Sequence, residues 1–230
     1  MSGGHLLCAD RSGTKTHCGG DEDGAGAPRR RRRILRSRIL FYSKFWKRRR
    51  RMSEQIKRLK RELKFKGTIL EFYQDTMEIN GDHTAVWDFI KHKGAAAVVP
   101  VTEDGKILMV RQYRNALERY TLEIPAGALD EENEPGRECA SRELEEETGF
   151  RSENMEWLIT LRTTVAFCNE RIEVYVAKDL IPSKQHLDED EFIDLRAYTL
   201  EELKEKIFSG EIEDGKTVAS LMAYAVKYGK

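Results

Sequence analysis

Apolar and polar residues alternate with a period of two in several short stretches, which is the pattern of half-buried β-strands. Asn80-Gly81-Asp82 separates two of these stretches and has the composition of a tight hairpin turn. The run of small and branched apolar residues at 94–101 predicts a strand that is buried on both faces. The strand-like stretches are 68–79, 84–90, 94–101, 106–113, 121–124, 157–165, 171–178 and 192–199.

Helices are predicted at 138–148, 200–207 and 216–228. Gly149 stands where a left-handed C-terminal cap belongs, and Thr199 with Glu202 gives a capping-box pattern before the second helix. The charged stretch 52–66 is compatible with either a helix or an extended segment. Several strands with few helices predict an α/β fold, a sandwich built on a mixed β-sheet.

The charges are unevenly distributed, although lysine plus arginine and aspartate plus glutamate are equal at 40 each. Residues 1–51 hold 15 basic and 4 acidic residues, a net charge of +11, and residues 52–230 carry −11. The larger part is therefore acidic, which argues against nucleic acid as its partner. No apolar run is long enough to span a bilayer, and no secretory signal pattern is present.

The first 51 residues differ in composition from the rest of the chain. Residues 1–28 are rich in small polar residues and are expected to be disordered. Residues 29–51 contain 13 basic residues and no acidic ones. Three interpretations stay open: a segment that binds anionic membrane or nucleic acid, an organelle-targeting segment, or an upstream start outside the mature protein. We favour the last, because a compact domain begins at Met52.

The helix predicted at 138–148 places three glutamates on one face. Glu143, Glu146 and Glu147 are three and four residues apart, and residues with that spacing share a helix face. Arg142 lies beside them and reaches Glu146 at i+4. Three carboxylates this close repel one another unless a cation compensates them, and Mg²⁺ prefers such oxygen ligands. A solvated acidic helix without a ligand is the alternative.

The residues before this helix favour the metal interpretation. Gly127 is followed by Glu134 and, after seven more residues, by Arg142-Glu143-Leu144-Glu145-Glu146-Glu147-Thr148-Gly149. This order resembles the signature of the Nudix hydrolases, Gly-x5-Glu-x7-Arg-Glu-(apolar)-x-Glu-Glu-x-Gly-(apolar). The chain departs from it at one point, since six residues rather than five separate Gly127 from Glu134 and Asn133 stands at the strict position.

Further motifs are similar to those of the ADP-ribose pyrophosphatase branch of the Nudix family. They are Val110-Arg111-Gln112-Tyr113-Arg114, Glu123-Ile124-Pro125-Ala126-Gly127, His92-x-Gly94-Ala95, Phe167-Cys168-Asn169-Glu170, Leu187-Asp188-Glu189-Asp190-Glu191-Phe192 and Asp214-Gly215-Lys216-Thr217. The resemblance covers about 67–228 and implies an α/β/α Nudix fold. It also implies a homodimer, in which the N-terminal strands of one subunit help to build the substrate site of the other.

Composition and resemblance together divide the chain into three regions. Residues 1–51 are expected to form a disordered basic extension, 52–93 an N-terminal antiparallel strand pair and dimerisation region, and 94–230 the Nudix hydrolase domain. The four cysteines, two of them in the extension, do not make a disulfide framework. They favour reduced thiols in a cytoplasmic protein.

The resemblance assigns a metal ion to Glu143, Glu146 and Glu147, together with the backbone carbonyl of Ala126. Mg²⁺ is expected, with Mn²⁺ as the alternative. A divalent cation neutralises the charge of a pyrophosphate, polarises a phosphoryl oxygen and lowers the pKa of bound water. Arg142 is expected to orient the glutamates through a charge-assisted hydrogen bond.

Arg111, Arg114 and Glu123 are expected to bind the substrate, since a guanidinium fork suits phosphate oxygens. Arg111 and Arg114 are three residues apart on a predicted strand, so they cannot both face the same side. Arg111 is the preferred phosphate ligand. Its alternative role is that of a cross-strand partner for a carboxylate.

A general base is expected from outside the metal helix. The resemblance places it in the acidic loop 188–191, where Glu189 and Glu191 are the candidates. The alternative is that this loop is only a solvated charged segment. Glu170 is a further candidate for contact with the metal, the attacking water or the substrate.

Two departures from the branch concern substrate binding. The branch often has Ser-Pro-Gly-Phe where this chain has Thr164-Val165-Ala166-Phe167. It usually carries an Arg-Glu pair that helps to bind the nucleobase, where this chain has Trp87-Asp88. We expect Trp87 to stack on adenine from the partner subunit, and ordinary packing in the dimer or the core is the alternative.

These expectations combine into a metal-dependent hydrolase that cleaves ADP-ribose to AMP and ribose 5-phosphate by attack of water on a phosphorus. A second hypothesis keeps the chemistry but replaces the substrate by another nucleoside-diphosphate sugar or a damaged nucleotide. A third is a non-catalytic Nudix-like nucleotide sensor, against which the complete glutamate helix argues. A fourth, a membrane- or nucleic-acid-binding protein, would need residues 29–51 to be present and functional.

Overall fold

The computed structural model describes residues 55–187 and 192–229. The predictions for the extension 1–51 and for the acidic loop 188–191, including Glu189 and Glu191, lie outside these residues. Within the described ranges no helix is both long and apolar enough to cross a membrane.

Twelve strands and three α-helices make up the described part of the chain. The strands are β1 (Ile56–Lys66), β2 (Glu71–Ile79), β3 (His83–Lys91), β4 (Ala95–Pro100), β5 (Ile107–Arg114), β6 (Arg119–Glu123), β7 (Ala126–Ala128), β8 (Phe150–Arg151), β9 (Asn154–Arg162), β10 (Arg171–Lys178), β11 (Ile181–Pro182) and β12 (Asp194–Tyr198). The helices are α1 (Gly136–Thr148), α2 (Leu200–Phe208) and α3 (Gly215–Tyr228).

The N-terminal strands form an antiparallel sheet in the order β1-β2-β3. Asn80 and Gly81 connect β2 to β3 with φ values of 56° and 82°, and this pair of positive φ values is that of a tight hairpin turn. The charged stretch 52–66 was compatible with a helix or an extended segment. Its residues Ile56–Lys66 are extended and form β1. A bidentate ion pair between Arg61 and the buried Asp75, with both N–O distances at 2.6 Å, joins β1 to β2.

The remaining strands form a mixed arrangement, as the order of elements predicted. One sheet has the order β7-β4-β10-β9, in which β4 and β10 are parallel and the other pairs are antiparallel. A second, antiparallel sheet has the order β12-β5-β6. The mixed α/β fold of the prediction is therefore confirmed.

The core lies on both faces of β4. Ala97 and Val99 point into a large cluster with residues of β5, β6, β9, β10, α2 and α3. Ala96 and Val98, on the opposite face, pack against α1 and β10. Helices therefore cover both sides of the mixed sheet, and the continuous apolar run of β4 reflects burial on both of its faces.

The helices begin and end close to their predicted positions. Gly149 ends α1 with φ at 70°, and its N–H donates to the carbonyl oxygen of Glu145. Thr199 and Glu202 form the reciprocal capping box of α2, as predicted. One strand is displaced from its prediction, because β9 ends at Arg162, three residues before the predicted end. The amides of Phe167 and Cys168 donate to the Thr164 carbonyl, which turns the chain there.

Candidate active site

Two glutamates of α1 contact the first two residues of β7, Ala126 and Gly127. The carboxylate of Glu147, which is only 3% exposed, accepts a hydrogen bond from the Ala126 amide at 3.0 Å. The Glu143 carboxylate lies against Gly127, where an added Cβ would come within 2.0 Å of its Oε1. A residue without a side chain at 127 is therefore what lets the helix bring a carboxylate to this backbone.

Arg142 binds the carboxylates of Glu143 and Glu146. Its Nη1 donates to Glu143 Oε1 at 2.7 Å and to Glu146 Oε2 at 3.1 Å, so the predicted i,i+4 pair is formed. Its Nη2 donates to the carbonyl oxygen of Ala128 at 3.2 Å. Burial opposes the charge of the Arg142 guanidinium, but the neighbouring carboxylates, Glu143 first among them, outweigh it and raise its pKa.

The loop before α1 reaches Arg142 despite its additional residue. Glu134 Oε2 accepts a hydrogen bond from the Asp130 amide at 2.7 Å, and Glu134 Oε1 lies 3.6 Å from Arg142 Nη2. The Asp130 carboxylate lies 3.5 Å from Nε of the same arginine. The loop therefore closes on itself and places two further carboxylates beside Arg142.

The side chains of α1 offer carboxylate oxygens, the kind of ligand that a hard divalent cation prefers. Carboxylate oxygens from Glu143 and Glu147 converge on a backbone segment with the predicted carbonyl ligand, Ala126, and Glu146 is on the same helix face. Among the described residues, no three His, Cys, Asp or Glu side chains are already grouped to hold a metal. Arg142 occupies oxygens of two of the three glutamates, so a cation would compete with its guanidinium.

A cavity of about 800 Å³ opens beside this segment. Its wall includes Ala126 and Gly127, the residues that Glu147 and Glu143 contact. The lining residues are His92, Ala95, Arg114, Ala116, Leu117, Thr121, Glu123, Ala126, Gly127, Ala128, Leu161, Arg162, Thr163, Glu170, Ile172, Glu213, Asp214, Gly215, Lys216 and Ala219. The volume suits a nucleotide-sized ligand.

A network of charged side chains forms one wall of the cavity. Arg114 binds the buried Glu123 in a bidentate pair, with Nε–Oε1 at 2.8 Å and Nη2–Oε2 at 2.6 Å. Thr121 and Lys216 also donate to this carboxylate. Burial alone would raise the pKa of Glu123, but the hydrogen bonds from Arg114 and the charge of Lys216 lower it to about 2. Glu123 is therefore ionised, and it holds the positively charged side chains of Arg114 and Lys216 at the cavity wall.

The two predicted phosphate-binding arginines lie on opposite faces of β5. Arg114 lines the cavity, whereas Arg111 stacks on the ring of Tyr120 at 4.1 Å and does not line it. Arg111 is paired across the sheet with Leu122, a residue of the core cluster, so its face is the one that continues the core. Arg111 and Arg114 therefore face opposite sides of β5, as their spacing predicts, and in a single chain Arg114 lines the cavity rather than the preferred Arg111.

The cavity also contains Glu170, one of the predicted residues. Its carboxylate accepts a hydrogen bond from Thr163 Oγ1 at 2.5 Å and lies 3.6 Å from Nδ1 of His92. His92 Nδ1 also accepts a hydrogen bond from the Gly94 amide at 3.0 Å. Glu170 thus lies on a wall of the cavity beside His92. His92 belongs to one of the motifs found in the sequence, but no role was predicted for it.

Trp87 and Asp88 lie on β3, away from the cavity of their own chain. Trp87 is 44% exposed, and Asp88 accepts a hydrogen bond from the Gln74 side chain at 3.3 Å. Neither residue lines the cavity. A role of these residues at the substrate therefore requires a second copy of the chain, as the prediction for Trp87 assumed.

Three basic side chains of the cavity had no role in the predictions made from the sequence. They are His92, Arg162 and Lys216. Lys216 sits in the first turn of α3, and Arg162, at the end of β9, donates to the Asn169 carbonyl at 2.7 Å. The motifs containing His92 and Lys216 were visible in the sequence, but Arg162 had no local signal.

The chain matches a known family model and several known proteins. A family model described as NUDIX domain matches residues 91–221. The chain is 43% identical over 167 residues to a methanol dehydrogenase activator of Bacillus methanolicus, a match covering 72% of this chain and 90% of that protein. It is 38% identical over 174 residues to an ADP-ribose pyrophosphatase of Bacillus subtilis, covering 75% and 91%.

A solved structure supports the fold independently of these sequences. A crystal structure of an ADP compounds hydrolase superposes with a TM-score of 0.67 at 21% identity, covering 76% of this chain and 97% of that one. At this level of identity the likeness concerns the fold alone. The residues that the family model matches, 91–221, include the glutamate helix, the residues it contacts and all the residues that line the cavity. The chain therefore belongs to the Nudix family and is a Nudix hydrolase.

Proposed function

We propose that the chain hydrolyses the pyrophosphate bond of ADP-ribose to AMP and ribose 5-phosphate. One observation carries the proposal: two glutamates of α1 contact Ala126 and Gly127, and these residues line the cavity that holds Arg114 and Lys216. The helix that would bind the metal therefore contacts residues of the same cavity in which basic side chains would bind the phosphates. A pyrophosphate needs both, since its charge must be neutralised on more than one side.

Glu143, Glu146, Glu147 and the Ala126 carbonyl would hold Mg²⁺, or alternatively Mn²⁺. The bound cation would neutralise phosphate charge and lower the pKa of a water molecule. Arg142 keeps the glutamates oriented through its hydrogen bonds to Glu143 and Glu146.

The residues of the cavity wall bind and orient the substrate in this proposal. Arg114 presents its guanidinium in a fixed direction because Glu123 holds it by two hydrogen bonds. Lys216 adds a second positive charge at the same carboxylate. Glu170 lies within the cavity and is a candidate for contact with the water or the substrate. We assign the general base to Glu189 or Glu191, which belong to the predicted acidic loop 188–191.

We further propose that the active form is a homodimer in the cytoplasm. The sheet β1-β2-β3 exposes several large apolar side chains, and a second copy would cover them. They are Ile56, Leu59, Leu63, Phe65, Val86 and Trp87. In such a dimer Trp87 would stack on the adenine bound by the partner, with Asp88 beside it. Both described cysteines, Cys139 and Cys168, are free thiols, which supports a reducing compartment.

A second candidate function comes from the relative with 43% identity. That protein is named a methanol dehydrogenase activator, and the match covers 90% of its length. The chain would then act by stimulating a dehydrogenase. Addition of the chain to purified methanol dehydrogenase, with and without Mg²⁺, tests this directly: raised turnover would support the candidate, and unchanged turnover would remove it.

The substrate assignment is tested with the full chain and a panel of nucleotides. ADP-ribose, other nucleoside-diphosphate sugars and oxidised nucleoside triphosphates are incubated with Mg²⁺, and the products are separated by chromatography. The proposal predicts AMP and ribose 5-phosphate in equal amounts, with ADP-ribose cleaved at the highest kcat/KM. Faster cleavage of another panel member would replace the substrate. Tight binding of ADP-ribose without any cleavage would instead support a nucleotide sensor.

A further inference from the structure

We infer that Thr217, the buried threonine in the first turn of α3, is a positioning residue for the metal site. Its hydroxyl fixes the backbone that carries the Ala126 carbonyl, and it thereby sets the affinity for the cation. This inference rests on the proposed function, because it concerns the same metal site. It assigns a role to a helix that contributes no metal ligand itself.

The hydrogen bonds of Thr217 have a fixed direction. Its Oγ1 donates to Asp214 Oδ2 at 2.6 Å and accepts from the Ile124 amide at 3.1 Å. A hydroxyl has a single hydrogen, so the bond to the Asp214 carboxylate leaves its lone pairs for Ile124. Thr217 and Ile124 are both fully buried, and water is therefore a poor substitute for this contact.

The segment that Thr217 holds has few other backbone donors. Pro125 has no N–H, so only Ile124 and Ala126 offer amides between residues 124 and 126. The Ala126 amide donates to Glu147, which is itself a proposed metal ligand. The Pro125 carbonyl accepts from the Val98 amide at 2.9 Å. The segment 124–126 is therefore held by α1 through Glu147, by β4 through Val98 and by α3 through Thr217.

Loss of the hydroxyl would release one end of this segment. The buried Ile124 amide would lack its acceptor, and an unsatisfied buried donor favours movement of the backbone toward another partner. Residues that orient metal ligands in this indirect way typically change metal affinity by about 10- to 100-fold when they are removed. The Asp214 carboxylate that binds Thr217 also accepts a hydrogen bond from Lys216 at 2.9 Å. The first turn of α3 therefore connects Lys216 on the cavity wall to the segment that carries the Ala126 carbonyl.

The test measures metal binding without substrate, so it does not depend on turnover. Mn²⁺ is titrated into the full chain, and the free aquo ion is followed by electron paramagnetic resonance. The variants are Thr217→Val, which keeps the shape but loses the hydroxyl, and Thr217→Ser, which keeps the hydroxyl. Ser220→Ala is the matched control, because Ser220 is equally buried in α3 but its hydroxyl donates to the Lys216 carbonyl.

The inference predicts that Thr217→Val raises the Kd for Mn²⁺ by about 10-fold or more, whereas Thr217→Ser stays within about threefold of the wild type. Ser220→Ala should bind Mn²⁺ like the wild type, even if it lowers the melting temperature. In hydrolysis, the activity that Thr217→Val loses at low Mg²⁺ should return at saturating Mg²⁺.

Wild-type affinity in a folded Thr217→Val variant would overturn the inference and leave the proposed function intact. An equal loss in Ser220→Ala would also overturn it, because the effect would then come from the stability of the helix. If circular dichroism shows that Thr217→Val does not fold, Thr217→Cys takes its place, since a thiol is a weak acceptor of similar size. No Mn²⁺ binding by the wild type would instead contradict the metal site of the proposed function.

Discussion

Glu147 and the amide of Ala126 are joined by a hydrogen bond of 3.0 Å that links the glutamate helix α1 to the start of β7. Glu147 is buried and lies on the same helix face as Glu143 and Glu146. The bond serves stability, because it satisfies a backbone donor. It also serves the site, because it holds a proposed metal ligand next to the carbonyl of Ala126.

These two roles of Glu147 are separated by a pair of substitutions. Glu147→Gln keeps an oxygen that accepts from the Ala126 amide, so its free energy of unfolding should stay within about 1 kcal/mol of the wild type. Glu147→Ala leaves that amide without its acceptor and should lose a further 1–3 kcal/mol or so. Urea unfolding of both variants measures the difference. Equal stabilities would show that the hydrogen bond does not support the fold.

Gly127 is predicted to tolerate no side chain. In Gly127→Ala the new Cβ would meet Glu143 Oε1 at 2.0 Å, so the carboxylate has to move away from the segment. We expect a metal affinity lower by about 10- to 100-fold and a loss of roughly 1–3 kcal/mol in stability. Mn²⁺ titration and urea unfolding measure both quantities.

Gly215→Ala is the stability control for this substitution. A Cβ at Gly215 would meet no atom within 4 Å, and the residue opens α3 without a positive φ. Its stability should be unchanged or raised by up to about 1 kcal/mol, because alanine has the higher helix propensity. If Gly127→Ala behaved in the same way, the close approach of Glu143 would be irrelevant to the fold.

The local parts of the fold and of the site could be predicted from the sequence. The Asn80-Gly81 turn, the capping box of α2 and the shared face of Glu143, Glu146 and Glu147 each depend on residues only a few positions apart. Short-range backbone geometry fixes such features, so spacing alone indicates them. The Gly149 cap belongs to the same class.

The partners of the cavity wall could not be predicted in this way. Lys216 and Glu123 are 93 residues apart, and only the packing of α3 against the sheet brings them together. The choice between Arg111 and Arg114 depended on which face of β5 turns toward the cavity. The alternation of side chains along a strand places the two arginines on opposite faces, but it does not identify the face that lines the cavity. The shifted end of β9 has a similar cause, because a turn held by Thr164 ends the strand.

Glu123 is predicted to make the stability of the fold sensitive to acid. Its folded-state pKa of about 2 lies below the unfolded value, so the carboxylate stabilises the protein above about pH 4.3, and this contribution is lost as the pH falls toward 2. Glu123→Gln should cost on the order of 3 kcal/mol at pH 7, and its difference from the wild type should shrink between about pH 4.5 and pH 2.

Urea unfolding between pH 7 and pH 3 follows this difference for Glu123→Gln. Glu153→Gln, at an exposed carboxylate, serves as the control and should change stability by less than about 0.5 kcal/mol throughout. A constant difference between wild type and Glu123→Gln over the whole pH range would contradict the assigned pKa.

Trp87 is predicted to contribute to substrate binding through the dimer. If its ring stacks on adenine, the loss of roughly 1–3 kcal/mol in Trp87→Ala should raise the KM for ADP-ribose about 5- to 150-fold. Trp157→Ala, at another exposed tryptophan outside the cavity, should leave the KM unchanged. Sedimentation of both variants establishes whether they remain dimers. An unchanged KM in a dimeric Trp87→Ala variant would exclude the stacking contact.

The most direct test of the central claim is release of AMP from ADP-ribose by the full chain, with Mg²⁺ or with a chelator, compared with Glu147→Gln. The account predicts turnover that requires the metal and falls by at least about 100-fold in a Glu147→Gln variant that remains folded. Turnover that survives both the chelator and the substitution would contradict the assignment of chemistry to the glutamate helix. So would a folded, metal-bound wild type that releases no AMP.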